Sequence, residues 1–155
     1  HDRPHSRVLP AFLRERIRFV GWTDDVPGAL RAVDAVFFPS LVHEGFGRPL
    51  VEAGLAARPV VAFDVGATPE IVVDGTTGRI VPRGELEAAA EALGELASDP
   101  TMARRMGEAG RDHVRSHFGH ERHVREMERV IDGVRKELLD SSREGPRLAS
   151  LLGWR

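Results

Sequence analysis

The stretch "AVFFPSLVHEGFGRPLVEAGLAARPVVAFDVG", residues 35–66, determines the fold class that the sequence predicts. It opens with "AVFFPS" (35–40), an apolar run that is typical of a strand buried on both faces. A loop with two glycines leads into residues 48–57, which have the composition of a helix, and residues 59–66 form a second apolar strand. Strand, helix and strand at this spacing predict two parallel strands joined by a right-handed crossover.

The segments on both sides continue this alternation. Upstream, residues 16–22 ("RIRFVGW") are a predicted strand, and Asp24 or Asp25 is a plausible N-cap for the short helix that follows. Downstream, residues 69–73 are a predicted helical turn and residues 76–82 ("TTGRIVP") a fourth strand. The sequence therefore predicts an α/β fold, a Rossmann-like parallel sheet with flanking helices.

Further helices are predicted after Gly84, where the alternation stops. Residues 85–98, 99–118 and 120–139 carry apolar side chains at helical spacing, which is typical of amphipathic helices. From Asp140 onward turn residues are frequent and the periodicity is low, so we expect a tail there.

Composition and charge exclude several classes of protein. The 155 residues are 41% hydrophobic and 30% charged, as in a globular domain, and the net charge of −2 provides no basic field for nucleic acid. The absence of cysteine removes disulfides, thiolate zinc sites and cysteine nucleophiles. The polar N-terminal stretch "HDRPHSRVLP" lacks the apolar centre of a signal peptide, and no apolar run approaches the roughly 20 residues of a membrane helix. We expect a cytoplasmic setting.

The loop between the predicted strand and helix has the chemistry of a ligand site. Glu44 and Glu52 lie eight positions apart, and Gly45 and Gly47 stand between them. The loop presents backbone N–H groups at a helix N-terminus and at the carboxyl edge of the sheet, which favours phosphate oxygens. Ionised carboxylates only accept hydrogen bonds, so hydroxyl donors suit both glutamates. A diphosphate with hydroxyl groups on both sides, such as a nucleotide sugar, fits this arrangement.

An alternative interpretation of the loop needs no ligand. Glu44 could be a solvated loop residue, and Glu52 an exposed helix residue favoured by the helix dipole. The stretch also lacks the third glycine of a dinucleotide fingerprint and the lysine of a P-loop.

A histidine cluster near the predicted end of the second long helix offers a second candidate site. His113 and His117 are four positions apart and could share a metal, with His120 and His123 nearby. The set straddles a Phe-Gly break and lacks a clear third ligand, so we expect a solvated helix end.

The stretch from residue 39 to residue 82 resembles the C-terminal, nucleotide-sugar-binding domain of retaining GT-B glycosyltransferases of the group 1, or family 4, type. The signature of that family is a glutamate, seven residues and a second glutamate, with Gly-Phe-Gly after the first; here it runs from Glu44 to Glu52. "RIRFVGW", "AVFFPS", "PVVAFDVGATPEIV" and "DGTTGRIVP" match further family motifs in the same order. The resemblance covers roughly residues 8–138, a domain incomplete at its N-terminus, and leaves residues 139–155 as a tail.

The resemblance implies a role for each matched position. Glu44 would hold hydroxyl groups of the donor sugar and so position it, and Glu52 would accept hydrogen bonds from the ribose. The other implied donor contacts come from the glycine loop, the start of the helix and the segment that brackets the base: Gly45, Phe46, Gly47, Leu50, Val51, Phe19, Val20 and Gly21. Arg48 stands where the family more often has an apolar residue; it could reach a phosphate or a carboxylate, but we expect it to face solvent.

The resemblance also implies a reaction. A sugar would pass from a nucleotide-diphosphate donor to an acceptor hydroxyl, on a glycan, a lipid or a small molecule, with retained anomeric configuration and without an essential metal or other cofactor. Relatives carry an upstream arginine and lysine that clamp the diphosphate, and a separate N-terminal acceptor domain. No matching segment precedes His1, and the first clear strand begins only near Ile17. We therefore expect the chain to be part of a longer enzyme and to be inactive alone.

Two alternatives to an enzyme stay open at this point. The chain could be a noncatalytic nucleotide-sugar-binding or regulatory module, or an interaction domain in which the two glutamates are incidental. The arginines of the last helices alternate with acidic residues, which predicts a solvated face. A weak membrane-surface association is the less favoured interpretation of that face.

Overall fold

A computed structural model describes residues 10–43 and 45–144 of the chain. Its centre is a sheet of strands β1 (Val36–Phe38), β2 (Val60–Phe63) and β3 (Gly78–Val81) in that spatial order. Each strand pairs in parallel with the next. The predicted α/β fold with a parallel sheet is confirmed.

Helices connect the strands and cover the sheet. In chain order the described helices are α1 (Ala11–Arg14), α2 (Val26–Arg31), α3 (Arg48–Leu55), α4 (Thr68–Ile71), α5 (Leu86–Ser98), α6 (Pro100–His117) and α7 (His120–Glu144). The short helix predicted after Asp24 or Asp25 is present, and so are the helices predicted within residues 48–57, 85–98, 99–118 and 120–139, with bounds that differ by a few residues.

Strand β2 is the centre of the core, and all four of its residues are buried. Val61 and Phe63 pack on one side of the sheet against α5 and α6, while Val60 and Ala62 pack on the other side against α3 and α4. Alternate residues of a strand point to opposite faces, so a strand with helices on both faces must be apolar throughout. This explains the continuous apolar run from which the strand was predicted.

The strand predicted at residues 16–22 is absent, and that prediction was wrong. The segment has no regular secondary structure and no neighbouring strand within the described ranges, and backbone pairing is what defines a strand. Its apolar side chains are exposed instead, Phe19 at 47% and Trp22 at 89%. Strand β1 is only half-buried, against the expectation of burial on both faces, because β2 is the one described strand that pairs with it.

Helix α6 packs closely on α3 because glycines line the contact. A Cβ atom on Gly107 would lie 2.1 Å from the carbonyl oxygen of Ala57, and one on Gly54 would lie 2.6 Å from Val114 Cγ2. Ala57, just after α3, adopts the left-handed conformation with φ of 55°. The two helices therefore approach closely, with Gly107 against the backbone of Ala57 and Gly54 against the side chain of Val114.

Asp99 begins α6, and its Oδ1 accepts a hydrogen bond from the Met102 N–H at 2.9 Å. Replacing Asp99 by alanine removes this cap and is expected to lower the free energy of unfolding by about 1 kcal/mol. Urea denaturation measures the loss. Asp132→Ala, at an exposed position inside α7, is the control and is expected to change stability by less than about 0.5 kcal/mol. Equal losses for the two variants would contradict the capping role.

Helix α7 continues to Glu144, so residues 140–144 of the expected tail are helical, and residues 145–155 lie outside the described ranges. On the polar side of α7, Arg122 Nε donates to Glu126 Oε1 at 2.7 Å, which holds the pKa of that carboxyl below its ordinary value. The other side carries an exposed apolar stripe, of which Met127, Val130, Ile131 and Val134 are members. None of the described helices is both long and apolar enough to cross a membrane.

Candidate functional site

The loop between β1 and α3 lies at the carboxyl end of the parallel sheet, where open α/β folds bind ligands. Glu44 lies outside the described residues. Gly45 is exposed, and a Cβ atom built on it would meet no atom within 4 Å. Part of the loop is thus open to a ligand.

Gly47 is the N-cap of α3 and lies in the left-handed region, with φ of 66° and ψ of 50°. A Cβ atom there would approach Leu50 Cδ1 to 3.1 Å and Ile71 Cδ1 to 3.5 Å. Both the conformation and the space favour glycine, which lets the chain turn directly into the helix. At the start of α3 the Arg48 N–H has no acceptor inside the helix, Pro49 has no N–H, and the Leu50 N–H donates to the Gly47 carbonyl at 2.9 Å.

Phe46 is fixed by an aromatic contact that the sequence did not indicate. Its ring meets that of Phe118 edge to face, with centroids 5.7 Å apart, and stays 47% exposed. Phe118 follows the last turn of α6, so the glycine loop rests on the end of that helix.

The histidine pair belongs to the same group of contacts. His113 stacks on His117 with centroids 4.3 Å apart, and its Nε2 lies 3.4 Å from the carbonyl oxygen of Glu70. His113 also lies beside Phe118, at a centroid distance of 6.2 Å. Within the described ranges no three His, Asp or Glu side chains converge on a point where they could hold a metal ion.

Glu52 lies on α3 one turn after its start, and its side chain is 35% exposed. Arg48 Nη2 donates to Glu52 Oε1 at 3.2 Å, although the Arg48 side chain is 82% exposed. Arg48 therefore faces solvent, as expected, and also reaches a carboxylate. An exposed pair four residues apart on a helix contributes only about 0.3–0.5 kcal/mol, so a ligand can compete for this oxygen. Glu52 Oε2 has no hydrogen bond to any other described residue.

The residues beside Glu52 differ in what they can offer a ligand. Leu50 is 2% exposed and packs in the core, and its N–H donates to the Gly47 carbonyl at 2.9 Å. Val51 is partly buried against the same apolar cluster. The structure therefore gives Leu50 a supporting place beneath the loop, and its contact with a donor stays a prediction.

The predicted base-bracketing segment is exposed. Phe19 and Val20 present their side chains to solvent, and Gly21 has a φ of 80°. The segment runs into α2, whose N-cap is Asp25: its Oδ1 accepts from the Gly28 N–H at 2.7 Å. Helix α2 packs against α3, which brings the region after Gly21 to the side of α3 that carries Glu52.

A crevice of about 380 Å³ lies between α2, α3 and α6, and Glu52 is one of the residues that line it. Its apolar wall includes Val26, Leu30 and Leu55. Sequence reasoning missed this crevice because its other wall comes from α6, about sixty residues further along the chain.

Residues 2–113 match the sequence profile of the family described as glycosyl transferases group 1. The chain belongs to this family. The match confirms the resemblance inferred from the sequence and identifies the sheet and its helices as a GT-B C-terminal domain.

Relatives of this group 1 domain are named glycosyltransferases. The lipopolysaccharide core biosynthesis mannosyltransferase LpcC of Rhizobium leguminosarum bv. viciae is 34% identical over 142 residues, which are 92% of this chain and 39% of that protein. A phosphatidyl-myo-inositol mannosyltransferase of Mycobacterium leprae is 39% identical over 116 residues, 74% of this chain and 31% of that protein. The group 1 domain thus spans about two fifths or less of these relatives.

A solved structure gives the same likeness in three dimensions. The crystal structure of Anabaena HepE in complex with UDP and glucose matches 79% of this chain and 33% of its own, with a TM-score of 0.74 and 26% identity. The fold of the group 1 domain is therefore that of about a third of HepE, whose structure holds UDP and glucose.

Proposed function

We propose that the chain supplies the donor site of a longer, retaining glycosyltransferase, which moves a sugar from a nucleoside diphosphate to an acceptor hydroxyl. One observation carries the proposal: Glu52 presents Oε2, without a described partner, one turn beyond a glycine loop that opens the N-terminus of α3. The Glu52 carboxylate can accept hydrogen bonds from hydroxyl groups, and the nearby helix end can bind phosphate. Together they suit a nucleotide sugar. The names of the mannosyltransferase relatives and the UDP and glucose in HepE support it.

The donor would lie across the start of α3. Its diphosphate accepts hydrogen bonds from backbone N–H groups of the loop and from the Arg48 N–H at the start of the helix, where the helix dipole also favours negative charge. Glu52, further along α3, binds the ribose hydroxyls, and the sugar lies on the side of Glu44. These contacts act by holding the reacting carbon in place, with Glu44 as a positioning carboxylate and not a nucleophile.

The remaining parts of the proposal concern the rest of the enzyme. The acceptor, a glycan, a lipid or a small molecule, binds to a separate domain, and cationic side chains outside this chain neutralise the leaving diphosphate. The reaction then needs no metal ion or other cofactor. Residues 1–155 alone are expected to transfer no sugar.

Glu44→Gln in the complete enzyme tests the proposed function. The substitution keeps the size of the side chain and removes its charge, so it weakens charge-assisted hydrogen bonds to the sugar, which are worth about 1.5–3 kcal/mol. Turnover of the nucleotide sugar is expected to fall about tenfold or more at 1.4 kcal/mol per decade. Affinity for the sugar-free nucleoside diphosphate should change little.

A transfer assay over a panel of nucleotide sugars gives the turnover, and calorimetry gives the affinity. Glu70→Gln, on the exposed surface of α4, is the matched control and should leave both quantities unchanged. Loss of nucleoside diphosphate affinity as large as the loss of turnover would contradict the role of Glu44 at the sugar. A complete enzyme without any transfer activity would contradict the function itself.

A further inference from the structure

Phe46 carries the one side chain between the two glycines of the loop. A Cβ atom built on Gly45 would meet no atom within 4 Å, and Gly47 takes the left-handed conformation that opens α3. Glycine leaves the backbone free to rotate on both sides of Phe46, and holding a flexible residue in a single conformation has an entropic cost. The orientation of the peptide groups beside Phe46 therefore depends on what holds its ring.

Phe118 holds the Phe46 ring. The two rings meet edge to face, with centroids 5.7 Å apart and planes at 69°. No other aromatic ring in the described part of the chain contacts Phe46. This is the arrangement that the charge distribution of aromatic rings favours, and such a pair shifts an equilibrium by about two- to tenfold beyond the effect of its buried area. Phe118 thus gives the loop an anchor of defined geometry.

Phe118 is itself held in place by its neighbours. Its N–H donates to the carbonyl oxygen of Val114 at 2.8 Å, which closes the last turn of α6. Its side chain is half-buried and packs against the apolar cluster beneath the loop, which includes Leu50 and Ile71. The ring of His113 lies beside it at a centroid distance of 6.2 Å. The anchor is therefore part of the packed body of the domain, whereas Phe46 belongs to an exposed loop.

We propose that Phe118 is a positioning residue for the donor, and that it acts through Phe46 to hold the N–H groups of the glycine loop where the diphosphate binds. The inference rests on the proposed function, in which those groups donate to the diphosphate. Without the anchor the loop samples other conformations, and the apparent affinity for the donor falls in proportion to the fraction of molecules whose loop is competent to bind. Phe118 needs no contact with the donor for this effect.

A positioning role of this kind separates the two kinetic constants. Donor binding orders the loop, so at saturating donor a variant without the anchor is expected to turn over at the parent rate, while its KM for the donor is raised. Loss of folded protein has a different signature, because it lowers the apparent kcat and leaves KM unchanged. Kinetics over a range of donor concentrations therefore distinguish positioning from a general effect on stability.

Phe118→Leu in the complete gene product tests the proposal, in a transfer assay with the nucleotide sugar that the parent enzyme turns over best. Leucine keeps an apolar side chain against the cluster and removes the ring. KM for the nucleotide sugar is expected to rise about two- to tenfold, and kcat to change by less than about twofold. Phe118→Tyr, which keeps the ring, is expected to hold KM within about twofold of the parent value.

Phe37→Leu is the matched control. Phe37 forms an edge-to-face pair with Phe63, with centroids 5.8 Å apart, and packs on the other face of the sheet. The variant therefore loses an aromatic pair of the same kind away from the loop, and KM for the nucleotide sugar should not change.

A double variant tests whether the contact between the two rings carries the effect. If it does, Phe46→Leu/Phe118→Leu raises KM no further than Phe46→Leu alone. Phe46 is exposed, so Phe46→Leu keeps the test open if Phe118→Leu fails to fold, and it too is expected to raise KM about two- to tenfold.

An unchanged KM in Phe46→Leu or in folded Phe118→Leu would overturn the inference and leave the proposed function intact. So would independent increases that multiply in the double variant, or a rise in Phe118→Tyr or Phe37→Leu as large as that in Phe118→Leu. Absence of transfer from every nucleotide sugar by the parent enzyme would overturn the proposed function as well.

Discussion

Replacing Gly107 by alanine is expected to lower the free energy of unfolding by about 1–3 kcal/mol, the usual range for an overpacked contact. The new Cβ would lie 2.1 Å from the carbonyl oxygen of Ala57 and 2.7 Å from its carbonyl carbon. These are backbone atoms at the end of α3, so no side-chain rotation can relieve the overlap. The two helices must separate, and the buried side chains between them lose contacts.

Gly94→Ala is the matched control for this prediction. Gly94 lies inside α5, and a Cβ atom on it would meet nothing within 4 Å. Alanine there removes only the backbone entropy of glycine and is expected to raise stability by about 0.5–1 kcal/mol. Urea denaturation of both variants measures the two changes. A Gly107→Ala variant as stable as the parent would show that α3 and α6 do not approach as closely as the structure has them.

Glu52→Ala in the complete enzyme is expected to weaken the binding of a nucleoside diphosphate by about 1.5–3 kcal/mol, the contribution of hydrogen bonds to a charged group. At 1.4 kcal/mol per decade this is roughly a tenfold to hundredfold change in the dissociation constant. The ribose hydroxyls would lose their acceptor, so the preference for a ribonucleotide over its 2′-deoxy analogue should also narrow.

Calorimetry with UDP, GDP and their deoxy analogues distinguishes a hydrogen bond between Glu52 and the ribose from a general effect of removing one negative charge. Glu91→Ala, on the exposed side of α5, removes the same charge away from the crevice and should not change either affinity. Arg48→Ala breaks the exposed ion pair and is expected to change affinity by no more than about 0.5 kcal/mol. Equal losses of ribonucleotide and deoxynucleotide binding in Glu52→Ala would contradict the ribose assignment.

The part of the fold that the sequence predicted correctly is the part encoded by local patterns. The apolar runs within residues 35–40 and 59–66 and the helix between them form one crossover unit whose strands pair with each other. The same holds for α5 and α6, whose apolar side chains recur at helical spacing. These signals depend on side chains a few residues apart, which a sequence displays directly.

The errors arose where structure depends on a distant partner. Residues 16–22 have the composition of a strand, but a strand also needs a neighbour, which this segment lacks among the described residues. The end of α7 was placed too early because Asp140, Ser141 and Ser142 have little helical preference of their own, and a long helix can continue through a few such residues.

In the candidate site, too, local features were predicted from the sequence and contacts between distant segments were not. The position of Glu52 one turn into α3 followed from counting residues after the glycine loop. The sequence did not decide whether Arg48 pairs with Glu52, because a long arginine side chain can reach either solvent or a carboxylate. The contact between Phe46 and Phe118 and the arginine wall of the crevice could not be predicted, since both depend on how α6 folds back over α3.

The glycine-lined contact between α3 and α6 sets the spacing of the two helices, whereas other side chains on the same helices line the crevice. Glu52 lies on one helix and Arg111 and Arg115 on the other, and the spacing between the helices is set by backbone atoms near Gly54 and Gly107. Residues on the outer faces of the two helices can then be exchanged without altering that spacing. Substitutions in the crevice can thus change the charge and shape of its lining while the two helices keep their positions.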